Sequence, residues 1–198
     1  MYVHYHSGFQ PESPRWKDYQ HLLQTELPYW HRSWLLDSGS LSARLVRASD
    51  NHFRVQVLSQ HWQSARLDEY RLLGIMPGQR CLIREVLLLC HEQPWVYARS
   101  VLPVTSLVGK LRHLRQFGTQ PLGQLLFNTP GMRRNPFEIA RILPAQLPPA
   151  ARFMDRDKLK PNTQSEPAWG RRSRFTLYDR PLMVSEIFLP AFCPQPSD

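Results

Sequence analysis

Apolar residues recur along this chain with changing period, and each period predicts a different element. Trp16, Tyr19, Leu22 and Leu23 are spaced for one face of a helix that Pro28 stops. Trp30, Trp34, Leu35 and Leu36 suit a second short helix, and Asp37-Ser38-Gly39-Ser40 then breaks the pattern with turn-formers expected to be mobile. Residues 44–48 and 53–58 alternate about Ser49-Asp50-Asn51, the pattern of a hairpin. Residues 62–73 are polar and ambiguous, and residues 74–78 read as a turn. The strongest strand covers residues 81–90. Its Leu82, Ile83, Val86, Leu87, Leu88 and Leu89 are too continuous for a half-wet strand, so both faces should be covered. His91-Glu92-Gln93-Pro94 turns the chain into a second strand over 95–102, ending at Pro103. Thr105 or Ser106 can cap a helix carrying Leu107, Leu111 and Leu114 that stops at Gly118, and residues 122–127 add a helical turn. A last hairpin sets Phe175 and Leu177 against Leu182, Val184, Ile187 and Phe188 about Tyr178-Asp179-Arg180-Pro181. Antiparallel hairpins with helices grouped at the start and middle predict an α+β fold with one antiparallel sheet.

Composition narrows the class. The chain has 198 residues, 42% hydrophobic and 21% charged, close to the averages for a globular domain. That length buries enough surface to need no disulfide or metal staple. Residues 1–29 read as a tail and one helix, and residues 30–192 as the domain proper. A proline-rich surface insertion is expected at about 143–167, within a stretch to 168 that holds five of the 18 prolines. Cys81, Cys90 and Cys193 are an odd, widely spaced set with no CxxC pair, which argues against a disulfide framework or a zinc site. The first 15 residues are polar and contain Pro11 and Pro14, unlike a signal peptide, and no apolar run has the length of a membrane span. The expected compartment is the reducing cytoplasm.

Charge changes the picture more. Lys plus Arg is 25 and Asp plus Glu is 16, a formal net charge of +9. Such a balance suits nucleic acid, and equally an enzyme that captures a polyanionic small molecule. Arg84 and Glu85 interrupt the most apolar strand, and as neighbours they point to opposite faces. Each is either one half of a salt bridge to another strand or, for Arg84, a planar fork offered to a substrate carboxylate. Glu186 poses the same question on the face of Leu182, Val184 and Phe188. It is either a proton donor or base working near neutrality, or the partner of Arg84 or another buried arginine. The basic cluster Gly170-Arg171-Arg172-Ser173-Arg174 looks like a nucleic-acid patch but reads as a solvated turn feeding a strand, with one arginine bracing an acidic group. The eight histidines form no HxxxH or HExxH pattern, although His4 and His6 could bind metal adventitiously. No GxSxG, Walker-type or GxGxxG motif is present.

Ile83-Arg84-Glu85-Val86-Leu87-Leu88, Gln93-Pro94-Trp95 and Ala98-Arg99-Ser100-Val101-Leu102-Pro103-Val104 resemble the central hairpin of the chorismate lyase family. Pro121-Leu122-Gly123 with Leu125-Leu126-Phe127, Trp169-Gly170-Arg171-Arg172-Ser173-Arg174, and Ser185-Glu186-Ile187-Phe188-Leu189-Pro190 resemble its later signatures, in order, from about Trp30 to Ala191. The resemblance implies conversion of chorismate to 4-hydroxybenzoate and pyruvate, the first step of ubiquinone synthesis. It implies a cytoplasmic monomer whose flap-like helical segments cover an internal site on the sheet. It implies no metal or organic cofactor, no nucleic-acid partner and no stable membrane insertion. By the same resemblance Arg84 holds the ligand carboxylate, Glu186 meets the ring hydroxyl end, and the backbone at Leu122 and Leu41 lines the ligand. Leu41 stands where the family pattern has Met, which leaves a backbone contact possible. A related effector-sensing fold makes a non-catalytic binding module the alternative; fewer than the residues of a DNA-binding domain precede the matching region.

Overall fold

The apolar run around Arg84 forms a strand one in from the edge of an eight-stranded antiparallel sheet. The computed structural model describes residues 13–22, 27, 29–149, 151 and 167–194. In chain order the elements are β1 (Lys17–Asp18), α1 (Tyr29–Leu35), α2 (Leu41–Ala48), β2 (Phe53–Ser64), α3 (Leu67–Leu73), β3 (Arg80–Cys90), β4 (Gln93–Pro103), α4 (Leu122–Asn128), β5 (Arg133–Arg134), β6 (Glu138–Ile142), β7 (Ala168–Leu177) and β8 (Arg180–Phe188). Short 3-10 helices cover Tyr19–His21, Gly109–Gln116 and Pro144–Gln146. The strand order is β1-β6-β7-β8-β4-β3-β2, with β5 also beside β7.

Both faces of β3 are covered, as its continuous apolar run requires. On one face Val86, Leu88, Val96, Ala98 and Phe188 pack under Trp34 and Leu35 of α1 and Leu41 and Leu45 of α2. Leu82, Leu102 and Phe175 continue that face under Leu111, Leu114, Leu122 and Leu126. On the other face Leu87, Leu89, Tyr97 and Ile187 pack with Ile142, Leu147 and Ala151. Tyr70 and Leu73 of α3 cover Cys81, Ile83, Val101 and Met183. Leu147 and Ala151 therefore anchor the start of the proline-rich insertion to the core; residues 152–166 lie outside the described residues.

Several elements differ from the periodicity. Residues 44–48 are helix, not strand: Leu41, Leu45 and Ala48 fall on one helical face, and Ser40 Oγ accepts from Ala43 N at 3.4 Å. The strand that follows pairs with β3 instead, and it runs on to Ser64 through residues the pattern left ambiguous. No α-helix covers residues 17–22. Lys17 pairs with Ile139 in the sheet, and Asp18 accepts from Gln20 N at 2.9 Å, which tightens the next residues into a 3-10 turn. Ser106 and Thr105 cap nothing. Ser106 Oγ donates to Pro181 O and Gln79 Nε2 donates to Thr105 Oγ1, so Leu111 and Leu114 ride on a 3-10 helix with no side-chain cap. Asp37 ties the turn after α1, accepting from Gly39 N at 2.7 Å and from Arg44 at 3.0 Å.

The largest correction concerns Gly170–Arg174. These residues are not a solvated turn but the buried first half of β7, paired with β6 and β8. Burial of Arg171 and Arg172 is tolerable there because each meets acidic partners: Arg171 meets Glu186, and Arg172 meets Glu138 of β6 and Asp68 of α3.

Candidate active site

Strand alternation decides which charges can meet. Arg84 lies opposite Ser100, Ser100 opposite Val184, and Val184 opposite Ser173. Two residues along, Val86 lies opposite Ala98, Ala98 opposite Glu186, and Glu186 opposite Arg171. Arg84, Glu186 and Arg171 thus emerge on one face. Two strand spacings and a two-residue offset put the Cα atoms of Arg84 and Glu186 roughly 12 Å apart. The floor between them is made of the small β4 side chains Ala98 and Ser100, and the Ser100 row continues through Val184 to Ser173. Glu85 goes to the opposite face. Its carboxylate accepts from Tyr97 Oη at 2.6 Å, Arg99 Nη1 at 2.9 Å and Ser59 Oγ at 3.0 Å, so its valences are filled.

Arg84 is 4% exposed. Its Nη2 donates to Gly118 O at 2.9 Å and Gln120 O at 3.1 Å, and its guanidinium lies 5.7 Å from the Phe117 ring. Its Nε is buried with no partner, and no acidic side chain pairs with it among the described residues. Burial lowers its pKa from the ordinary value. A buried cation with spare donors is a receptor for a planar anion.

Glu186 does not pair with Arg84. Its Oε2 accepts from Arg171 Nε at 2.7 Å, while the described residues place no hydrogen bond on its Oε1. Arg171 has no solvent exposure. Its Nη1 donates to Trp34 O at 2.7 Å and Asp37 O at 2.8 Å, at the C-terminal end of α1, and its Nη2 has no partner. One guanidinium thus joins the acid on β8 to the helix above it.

A third cation closes this side. Arg134 donates through Nε to Ser173 Oγ at 3.1 Å and through Nη1 to Ser38 O at 3.3 Å, with its guanidinium 3.9 Å over the Phe137 ring. Burial, opposed by the nearby charge of Glu186, pushes its pKa down to about 10. The sequence pattern left open which arginine of 170–174 meets an acid, and it did not single out Arg134. The available signal was alternation in β7, which sets Arg171 on the face of Ser173 and Phe175; nothing in the sequence marks Arg134.

Leu41 and Leu122 are the first residues of α2 and α4, so their backbone N–H groups lack intrahelical partners. The two helix starts touch, since a Cβ on Gly123 would lie 3.4 Å from Ser42 Oγ. Both leucine side chains are buried, Leu41 with Trp34, Val86 and Ala98, and Leu122 with Leu82 and Phe117. The structure therefore brings Arg84, Glu186, Leu41 and Leu122 around one face of the sheet. Among the described residues no group of three or more His, Cys, Asp or Glu side chains is placed to hold a metal ion. His4 and His6 lie outside the described residues.

The family model described as chorismate lyase matches residues 15–195. The chain belongs to the chorismate lyase family. It is 40% identical over 162 residues to a probable chorismate pyruvate-lyase of Pseudomonas aeruginosa (strain UCBPP-PA14), covering 82% of this chain and 84% of that one. A probable chorismate pyruvate-lyase of Azoarcus sp. (strain BH72) is 44% identical over 169 residues, covering 84% of this chain and 87% of that one. In fold alone the chain is similar to a GntR-family transcriptional regulator from Bacillus cereus, with TM-score 0.53 and 14% identity over 74% of this chain and 98% of that one. As in that fold class, helices and one antiparallel sheet make an α+β architecture in this chorismate lyase family member. None of its described helices is long and apolar enough to cross a membrane.

Proposed function

We propose that this chain converts chorismate to 4-hydroxybenzoate and pyruvate on the sheet face that carries Arg84 and Glu186. One observation carries the reading: two buried guanidinium groups, Arg84 and Arg171, keep unpartnered N–H donors on either side of a floor of small residues, with an unused Glu186 oxygen beside them. A fold needs no such arrangement for its own stability, because unsatisfied buried donors cost free energy. A rigid cyclic dianion supplies what they lack.

Chorismate carries two carboxylates, a C4 hydroxyl and a C3 enolpyruvyl ether. Arg84 anchors the ring carboxylate, and the free N–H groups at the starts of α2 and α4 line the ligand at Leu41 and Leu122. Arg134 is the cation left for the enolpyruvyl carboxylate. Glu186, held by Arg171, meets the C4 end. In the reaction the C4–H bonding pair becomes the new ring double bond, and the C3–O bond breaks with its electrons. The proton ends on the enolpyruvyl methylene, giving pyruvate. It travels either by way of Glu186 or directly in a cyclic transfer, in which case Glu186 only orients the hydroxyl. Aromatisation supplies the driving force, so the protein need only fix a reactive conformer and manage one proton. No metal or organic cofactor enters this scheme. The reading also takes the protein as a cytoplasmic monomer acting at the first step of ubiquinone synthesis, with chorismate and 4-hydroxybenzoate as its ligands and no nucleic acid.

The test is purified protein with chorismate and a chelator, followed by chromatography. Equimolar 4-hydroxybenzoate and pyruvate above the uncatalysed background is the expected result. Tight binding of 4-hydroxybenzoate without turnover would mark a binding module instead.

A further inference from the structure

Among the described residues, the end of the sheet where β3 begins, β4 ends and β7 turns into β8 gathers most of the exposed large apolar side chains. Met76 is 76% exposed, and Val104, Val108, Trp62 and Tyr178 are exposed at the same end. Four contacts tie the segments at this end together. Val104 N donates to Arg80 O at 3.0 Å, and Gln79 Nε2 donates to Thr105 Oγ1 at 2.7 Å. Ser106 Oγ donates to Pro181 O at 2.7 Å, and Lys110 Nζ sits 4.9 Å over the Tyr178 ring. Leu111 and Leu114 fill the inner side of the Gly109–Gln116 helix, so Val108, Lys110 and Arg112 are turned outward.

The same end is cationic. Arg71, Arg80, Lys110, Arg112 and Arg180 are exposed and form no ion pair among the described residues. The nearby acids are already committed: Asp179 to Arg133, Asp68 to Arg172 and Glu69 to Arg99. Single exposed apolar residues need no explanation, but a contiguous set ringed by unpaired cations does. The described residues bordering 152–166 and 195–198 lie at the far end, where Ile142 meets Ala168 and Phe192 packs with Trp95.

We propose that this end docks on the surface of an anionic phospholipid bilayer. Met76, Val104 and Val108 enter the headgroup layer, and the cations pair with lipid phosphates. Tyr178 and Trp62 suit the interface, each with a cation over its ring: Lys110 on Tyr178, Arg80 and Arg115 on Trp62. A nucleic acid would use the same cations and the two aromatic rings, but it offers nothing to the aliphatic side chains between them. Docking is peripheral. It leaves α2 free, since Leu45 O sits 4.0 Å from Cys90 Sγ at the opposite end of β3.

The experiment is co-sedimentation of the full chain with vesicles of phosphatidylglycerol and phosphatidylethanolamine, against vesicles of phosphatidylcholine alone. The protein should sediment with the anionic vesicles only, and added salt should weaken but not abolish binding. Removing a surface cation lowers partitioning about fivefold, so Lys110→Gln with Arg112→Gln should lower it roughly 25-fold. Met76→Asp with Val108→Asp should abolish binding at every salt concentration. Both double variants should keep wild-type chorismate turnover, which reports folding independently. Equal sedimentation with phosphatidylcholine, wild-type binding by either variant, or binding to single-stranded RNA but not to vesicles would overturn the proposal.

Discussion

The two faces of the sheet both bury charge, but they treat it differently. Behind α3, Arg99 Nε and Nη2 meet Glu69, its Nη1 meets Glu85, and Tyr97 and Ser59 complete the Glu85 carboxylate. Under α1, α2 and α4, Arg84 has only backbone carbonyls as partners, and Arg84 Nε and Arg171 Nη2 have none. Buried charge by itself does not mark a site. A closed network holds the fold together, whereas an open one waits for a ligand.

The contrast is broken or sharpened most strongly by removing one arginine from each face. Arg99→Ala leaves Glu69 and Glu85 buried without their cation, so chemical denaturation should show a loss of about 3–5 kcal/mol. The fraction that stays folded should turn over chorismate with an unchanged KM. Lost activity at full stability would move the site to the α3 face. Arg84→Ala should do the reverse: kcat/KM falls about a hundredfold or more, equivalent to about 2.7 kcal/mol, while the denaturation midpoint moves much less. Normal kinetics in this variant would end its assignment as anchor.

Within the open face, Glu186→Gln keeps the shape and removes the charge. Loss of about a hundredfold in kcat at nearly constant KM is expected if the carboxylate carries the proton. Full activity would leave Glu186 as an orienting group and the proton on the cyclic route.

The smallest effect is a pH dependence of the closed face. Burial opposes ionisation of Glu85, but the Tyr97 and Ser59 hydrogen bonds and the charge of Arg99 outweigh it and hold the carboxyl below its usual range. A depressed carboxyl stabilises the fold above its unfolded pKa, and that stability is lost as pH falls through the folded value. Glu85→Gln should therefore flatten the acid limb of a stability profile, and an unchanged limb would show that Glu85 is not part of it.

Much of this was legible in the sequence because it rests on local pattern. The β3–β4 and β7–β8 hairpins, α1 and α4 follow from runs and turn residues, and Arg84 and Glu186 stand out as charges in apolar strands. Residues 44–48 misled because a short amphipathic stretch satisfies both periods, and packing of Leu41 and Leu45 on Val86 settled it as helix. The arginines of 170–174 misled because their counter-charges lie far away in the chain: Glu186, Glu138 and Asp68.

Local pattern alone is enough for the β3–β4 hairpin, for the turn and adjoining strands at residues 175–188, for the alternation that separates Arg84 from Glu85, and for the net positive charge suited to an anionic substrate. Only the tertiary structure decided that Glu186 pairs with Arg171 instead of Arg84, that Arg134 joins them, and that Glu85 is sealed in a separate network. Alternation is a local property of the backbone and can be read along one strand. Pairing depends on strand order and register, which are set by contacts between residues remote in sequence.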